Sequence, residues 1–130
     1  MQKCAIRRER RATRRVLRAA LRSRSAETRL AASCRRRPRS LATVALAAGV
    51  AKDTVTGVTN GLRSVAKRLA VTPAEQARTR RTVAGGRARQ TRSVSRFTLA
   101  QVTGLVAAYR PRKPEYRAAV ALIAAFTAAA

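Results

Sequence analysis

The chain has 130 residues, of which thirty are Lys or Arg and five are Asp or Glu, so its formal net charge is +25. That length holds one small domain or two very small ones, and such a charge resists compaction until a polyanion neutralises it. The chain has no His and two Cys, too few for a one-chain structural zinc site or for common catalytic constellations. It also lacks an apolar run of about 20 residues, the length needed to span a bilayer. We expect a polyanion-binding protein that is not an enzyme and needs no cofactor or metal.

Residues 1–39 predict a basic arm, because they hold fifteen basic and two acidic residues. Apolar side chains recur at helical spacing between Val16 and Leu21, which predicts a helix from about Arg7 to Arg22. Alone, this flexible arm should be disordered or frayed, and it should order on a polyanion. The candidate phosphate-binding residues at its end are Arg35, Arg36, Arg37 and Arg39. We expect a bacterial cytoplasmic protein associated with the nucleoid. The Arg- and Ser-rich arm is also typical of an organellar transit peptide, so import into an organelle remains an alternative.

Two helices are predicted next. Ser40 can cap a short helix from Leu41 to Ala48, which Gly49 ends. A second helix begins at about Lys52, and its apolar residues are spaced alternately three and four apart. That spacing fits one long helix or two helices broken at 60–61.

The remaining elements are also predicted to be helical. Thr72-Pro73-Ala74-Glu75 has the form of a capping box and predicts a third helix that ends at the glycines 85–86. A basic linker, 86–96, follows. A second capping box over 98–101 begins a helix that prolines end, and Pro114 begins the last helix. No strand pattern appears, so the prediction is all-α, with an arm (1–39), a three-helix unit (40–85), the linker and a C-terminal helical hairpin (97–130).

The stretch from Val44 to Gly61 has the layout of a helix-turn-helix over residues 41–62. Small residues lie at the expected helix contact and Gly49 lies at the turn. The outward positions on the second helix would face base edges in a DNA groove. The candidate base-reading residues are Lys52, Asp53, Thr56 and Asn60, and further phosphate-binding candidates are Arg63, Lys67 and Arg68.

The segment from 41 to 85 resembles the DNA-binding headpiece of the lac-repressor family. The matching positions are Val44, Ala45, Ala48, Gly49, Val50, Thr54, Val55, Val58 and Asn60. The resemblance implies a three-helix DNA-binding fold in which Lys52 and Asp53 open the recognition helix and Gly57 occupies another contact position. Ala51 replaces the family's capping Ser, at a cost of about 1 kcal/mol, and Gly57 costs the helix about as much. The family's effector-binding domain is absent, so a sugar-responsive repressor is not expected.

The C-terminal segment, 97–127, resembles the start of the catalytic domain of phage-type tyrosine recombinases. The residues that carry that resemblance are Phe97-Thr98-Leu99-Ala100-Gln101, Tyr116-Arg117 and the stretch from Ala121 to Thr127. The first catalytic Arg and the nucleophilic Tyr of that family would lie beyond residue 130. An inactive remnant, or an ordinary pair of Ala-rich helices, is therefore expected.

These observations favour an arginine-rich DNA-binding protein, acting as a small transcription regulator or as an accessory factor of a mobile element. Its arms would supply salt-sensitive phosphate affinity and its second helix a limited sequence preference. A ribosomal-type RNA-binding protein, a truncated integrase and a reading frame without a selected function remain as alternatives. A homodimer also stays open.

Overall fold

The computed structural model describes residues 2–82 and 89–129. Within them, five helices and one two-stranded sheet follow each other along the chain. The elements are α1 Gln2–Arg36, α2 Leu41–Ala47, α3 Lys52–Arg68, β1 Glu75–Thr82, β2 Arg89–Arg96, α4 Leu99–Ala108 and α5 Pro114–Ala128. The mainly helical character is confirmed, whereas the hairpin of β1 and β2 makes the all-α class too narrow. None of the described helices combines the length and apolar character that a membrane span requires.

The chain divides into two compact units, residues 1–30 and residues 31–130. The first unit is most of α1, and its described side chains are exposed as far as Arg29. The helix is longer than the predicted 7–22 because Ala, Arg and Leu favour helices and because neither Gly nor Pro interrupts it. The flexibility of this arm in solution stays a prediction.

The second unit has a core of small apolar side chains around α3. On one side of α3, the buried residues are Val55, Val58, Thr59, Leu62, Val65 and Ala66. Side chains of α2, α4 and α5 complete the core, together with Cys34 and Phe97. Burying each Val or Leu stabilises the fold by about 1.5–3 kcal/mol relative to leaving it exposed. The helices predicted as separate parts of the chain therefore share one core.

Four predicted helix starts, those of α2, α3, α4 and α5, are confirmed, and two of them have the expected side-chain caps. The Ser40 side chain accepts a hydrogen bond from the Thr43 backbone N–H and caps α2. At α4, Thr98 and Gln101 form a reciprocal capping box, with hydrogen bonds of 3.2 and 3.0 Å. The second helix runs unbroken through Asn60 and Gly61, so the one-helix alternative is correct.

The third helix predicted from Thr72 is wrong, because residues 75–82 form strand β1. This strand pairs antiparallel with β2, from Glu75 opposite Arg96 to Thr82 opposite Arg89. Strand β2 replaces most of the predicted linker 86–96. The Thr72 carbonyl accepts a 2.8 Å hydrogen bond from the Gln101 side chain and is therefore tied to α4. Tertiary pairing thus overrides the local helix signal. The predicted helix end at 85–86 lies outside the described residues.

Two glycines of α3 lie against tyrosines of the C-terminal helices. A Cβ atom on Gly57 would overlap the Tyr116 hydroxyl, and one on Gly61 would overlap the Tyr109 hydroxyl. Gly57 therefore faces Tyr116 and does not occupy the DNA-contact position that the family resemblance implied. Burial, with a smaller contribution from the neighbouring Tyr116, raises the pKa of the Tyr109 phenol.

We expect Gly57→Ala to destabilise the protein, although Ala normally favours a helix by about 1 kcal/mol over Gly. Overpacking against Tyr116 costs about 1–3 kcal/mol, so the net loss should reach about 2 kcal/mol. Gly104→Ala in α4 is the matched control, because nothing lies within 4 Å of a Cβ at that position, and it should stabilise by about 1 kcal/mol. Denaturant unfolding of both variants measures the difference.

In the double variant Gly57→Ala/Tyr116→Leu, the shorter side chain at position 116 should remove the overpacking that destabilises Gly57→Ala alone. If Gly57→Ala alone stabilises the protein as much as Gly104→Ala does, the close contact between α3 and Tyr116 is disproved.

Candidate nucleic-acid interface

The connection between α2 and α3 is a Schellman turn at the predicted glycine. The Gly49 N–H donates to the Leu46 carbonyl and the Val50 N–H donates to the Ala45 carbonyl, both at 3.1 Å. Gly49 has φ +90°, which a residue without Cβ adopts readily. Val50 is buried directly after the turn. The predicted turn residue therefore lies where the chain reverses, and it sets the angle at which α3 begins.

The four predicted base-reading residues lie on one exposed side of α3. At 3.6 residues per turn, they share an arc of about 100° with Arg63 and Lys67. We call these six side chains the α3 stripe: Lys52, Asp53, Thr56, Asn60, Arg63 and Lys67, all exposed. The stripe extends for about 22 Å along the helix axis, at 1.5 Å per residue.

Few internal contacts restrain the stripe. The Asn60 Oδ1 accepts a 3.0 Å hydrogen bond from the Arg63 guanidinium. The Asp53 carboxylate accepts a 3.2 Å hydrogen bond from the Thr54 N–H, near the N-terminus of α3. Ala51, at the N-cap, supplies no side-chain cap, as predicted. The stripe consequently presents donors and acceptors that a ligand can use.

A cleft of about 1040 Å³ lies beside the stripe, between the C-terminal half of α3, the start of α2 and the hairpin. Its basic side chains are Arg63, Lys67 and Arg92. Hydroxyl groups of Ser40, Ser64, Thr72, Thr79, Ser93 and Ser95 also line it. None of the described lining residues is acidic, so both the charge and the hydrogen-bonding groups of the cleft suit an anionic ligand.

The other predicted phosphate-binding residues are dispersed. Arg35 lies with its guanidinium 5.7 Å from the centre of the Phe126 ring, while Arg36 and Arg37 are exposed. Arg68 is outside the stripe and donates a 3.5 Å hydrogen bond to the Ala108 carbonyl. Arg35 and Arg68 therefore contact α5 and the end of α4.

Arg39 forms hydrogen bonds within the protein through both its side chain and its backbone. Its guanidinium donates hydrogen bonds to the Ser33 hydroxyl, and its backbone pairs with that of Phe97 through bonds of 3.1 and 2.9 Å. Burial raises the pKa of the nearby Cys34 thiol, and the Arg39 charge opposes that rise in part. Arg39 therefore holds the end of α1 to the residue that follows β2, and its charge is engaged within the protein.

Sequence reasoning missed the hairpin's part of the cleft, which includes Thr79 and Arg92. The one signal for it was a Gly-Gly pair flanked on both sides by Thr-containing polar segments, a pattern that also occurs at hairpin turns. The apolar content of these strands is too low for a clear alternation, since Ala77 and Val94 are the half-buried apolar pair in the register.

Comparison with protein families, with characterised proteins and with solved structures finds no match for this chain. The function therefore has to be argued from the stripe and the cleft themselves.

The turns that follow α2 and α3 offer a test of the backbone geometry. Gly49→Ala should lower the free energy of unfolding by about 1–2 kcal/mol. The added Cβ would meet no other atom, but the backbone at this position is in the left-handed region that disfavours a side chain. Ala70, just after α3, has φ +51°, and Ala70→Gly should stabilise by up to about 1 kcal/mol, since glycine removes that strain but gains unfolded-state entropy. Thermal unfolding of both variants tests the assignment, and changes of the same sign would contradict it.

Proposed function

We propose that this protein binds duplex DNA, with α2, the Gly49 turn and α3 acting as a helix-turn-helix. The α3 stripe carries the proposal: six exposed polar side chains share one side of a helix whose other side is fixed in the core. The role in the cell that fits this activity is that of a small transcription regulator or an accessory factor of a mobile element.

Within this proposal, α3 enters the major groove and its first residues read bases. The B-DNA major groove is about 12 Å wide and admits an α-helix. Lys52 can donate to guanine, Asn60 can pair with adenine, and Asp53 can accept from cytosine. Thr56 lies between them on the stripe and can contact either base edges or a thymine methyl group.

The basic side chains at the end of α3 and in the cleft bind the phosphate backbone. Arg63 and Lys67 belong to both the stripe and the cleft, and Arg92 adds a third cation from β2. Such contacts fix the position of the protein on the duplex and make its affinity dependent on salt. The exposed Arg36 and Arg37 would contribute phosphate affinity without reading sequence.

Duplex DNA is favoured over RNA by the form of the stripe. The major groove of A-form RNA is deep and narrow, so the side chains of a helix cannot read its bases. Sequence-specific RNA binding instead uses platforms that stack unpaired bases, often with aromatic side chains. The stripe contains no aromatic residue.

Selection from random duplexes should return an enriched motif, and variants of the stripe should alter binding in two ways. Lys52→Ala should cost about 1–3 kcal/mol on the preferred sequence and relax the preference at one position. Lys67→Ala should weaken binding to every sequence and lower the slope of log K against log salt by about 0.9.

Arg112→Ala is the matched control for Lys67→Ala, because it removes one positive charge from an exposed position between α4 and α5. It should leave the motif and the salt slope nearly unchanged. A selection without an enriched motif, together with tight binding to one folded RNA, would replace this proposal with the RNA-binding alternative.

A further inference from the structure

Helix α1 carries an arginine ridge along one side. At 100° per residue, eight arginines of residues 2–30 fall within an arc of about 120°. The ridge comprises Arg7, Arg8, Arg11, Arg14, Arg15, Arg18, Arg22 and Arg29, all exposed. It extends for about 33 Å along the axis, at 1.5 Å per residue.

The opposite side of α1 differs in chemistry. It is a mixture of apolar and polar residues that includes Ile6, Val16 and Leu17, and the carboxylates of Glu9 and Glu27 lie near its centre. Arg24 is the one basic residue of 2–30 within about 60° of that centre. Neither carboxylate is within ion-pair distance of a ridge arginine in the described part of the chain. The ridge is therefore a separate array of cations, and its members from Arg7 to Arg22 include many pairs three or four residues apart that repel one another.

We infer that the arginine ridge is a second binding surface for duplex DNA, independent of the α3 stripe. The inference rests on the proposed function for the choice of DNA as the polyanion. A duplex carries one negative charge per about 1.7 Å of its axis, so phosphates are available along the whole length of the ridge. The guanidinium group is planar and forked, which suits bidentate contact with phosphate.

Charge and shape disfavour other occupants of the ridge. A helix that lies in a membrane interface buries its apolar side, and here Glu9 and Glu27 would be buried with it at a high desolvation cost. A second copy of α1 would bring eleven basic and two acidic residues, counted over 2–30, against the same charges. A duplex neutralises this charge instead.

Two matched triple variants of the full chain test the inference, and each removes three charges. The ridge triple is R11Q/R18Q/R22Q, and the control triple, outside the ridge, is K3Q/R10Q/R24Q. Gln favours helices nearly as much as Arg does, so α1 should be kept in both. Point variants are preferable to deletion of residues 1–39, because Cys34 belongs to the core.

On duplexes of arbitrary sequence, the ridge triple should lower the salt slope by about 2.7, which is about 0.9 for each phosphate that the protein no longer neutralises. When the salt concentration rises from about 50 to 200 mM, the association constant of both proteins falls, and the fold-decrease should be about 40 times smaller for the ridge triple than for the parent. The control triple should change the slope by less than about 1. The enriched motif should be the same for both triples, because α3 reads it.

Equal changes in the two triples would overturn the inference, since they would show a diffuse effect of net charge. It would also be overturned if neither triple changed DNA binding, or if only binding to vesicles of phosphatidylserine and phosphatidylcholine depended on the ridge. If no motif is enriched and Lys52→Ala has no effect, the proposed function fails, whereas a slope change confined to the ridge triple would still support the ridge.

Discussion

Burial of a cation without a partner costs several kcal/mol, and this chain has thirty cations for five acidic residues. Ion pairs cannot solve the problem: the described residues contain one, between Arg96 and Glu75. None of the described Lys or Arg side chains is fully buried. The core is accordingly built from uncharged side chains, mostly Val, Ala and Leu, and its small residues bring the helices close together. Within residues 31–130, the elements are therefore placed so that most of their large apolar side chains face the core and their charged side chains face the solvent.

Helix α3 shows how the separation also produces the candidate interface. Its apolar side packs against α2, α4 and α5, so its polar side can only face water. The Schellman turn at Gly49 sets the point at which α3 and its polar side begin. At the other end of α3, the hairpin adds Arg92 to Arg63 and Lys67 in the basic cleft. The same amphipathic pattern that stabilises the fold therefore gathers cations and hydrogen-bonding groups on one surface.

Sequence reasoning succeeded where a local pattern decides the structure. The caps at Ser40 and Thr98, the glycine turn and the exposed side of α3 all depend on residues within one or two turns of helix. It failed for β1, because the Thr72–Glu75 capping signal competes with strand pairing between residues seven to twenty-one positions apart. It could not see that Gly57 faces Tyr116, since that contact joins α3 to α5 across the core.

The paired contacts of Gly57 with Tyr116 and of Gly61 with Tyr109 have a consequence for divergence of this sequence. Glycine and alanine codons differ by one nucleotide, and the chain is rich in alanine, so mutation would readily replace both glycines. A larger residue at either position is compatible with this packing only after its tyrosine has shortened or moved. In a diverging lineage, each glycine and its tyrosine should therefore change together. Their covariation would identify distant relatives even after the arginine-rich surface had changed beyond recognition.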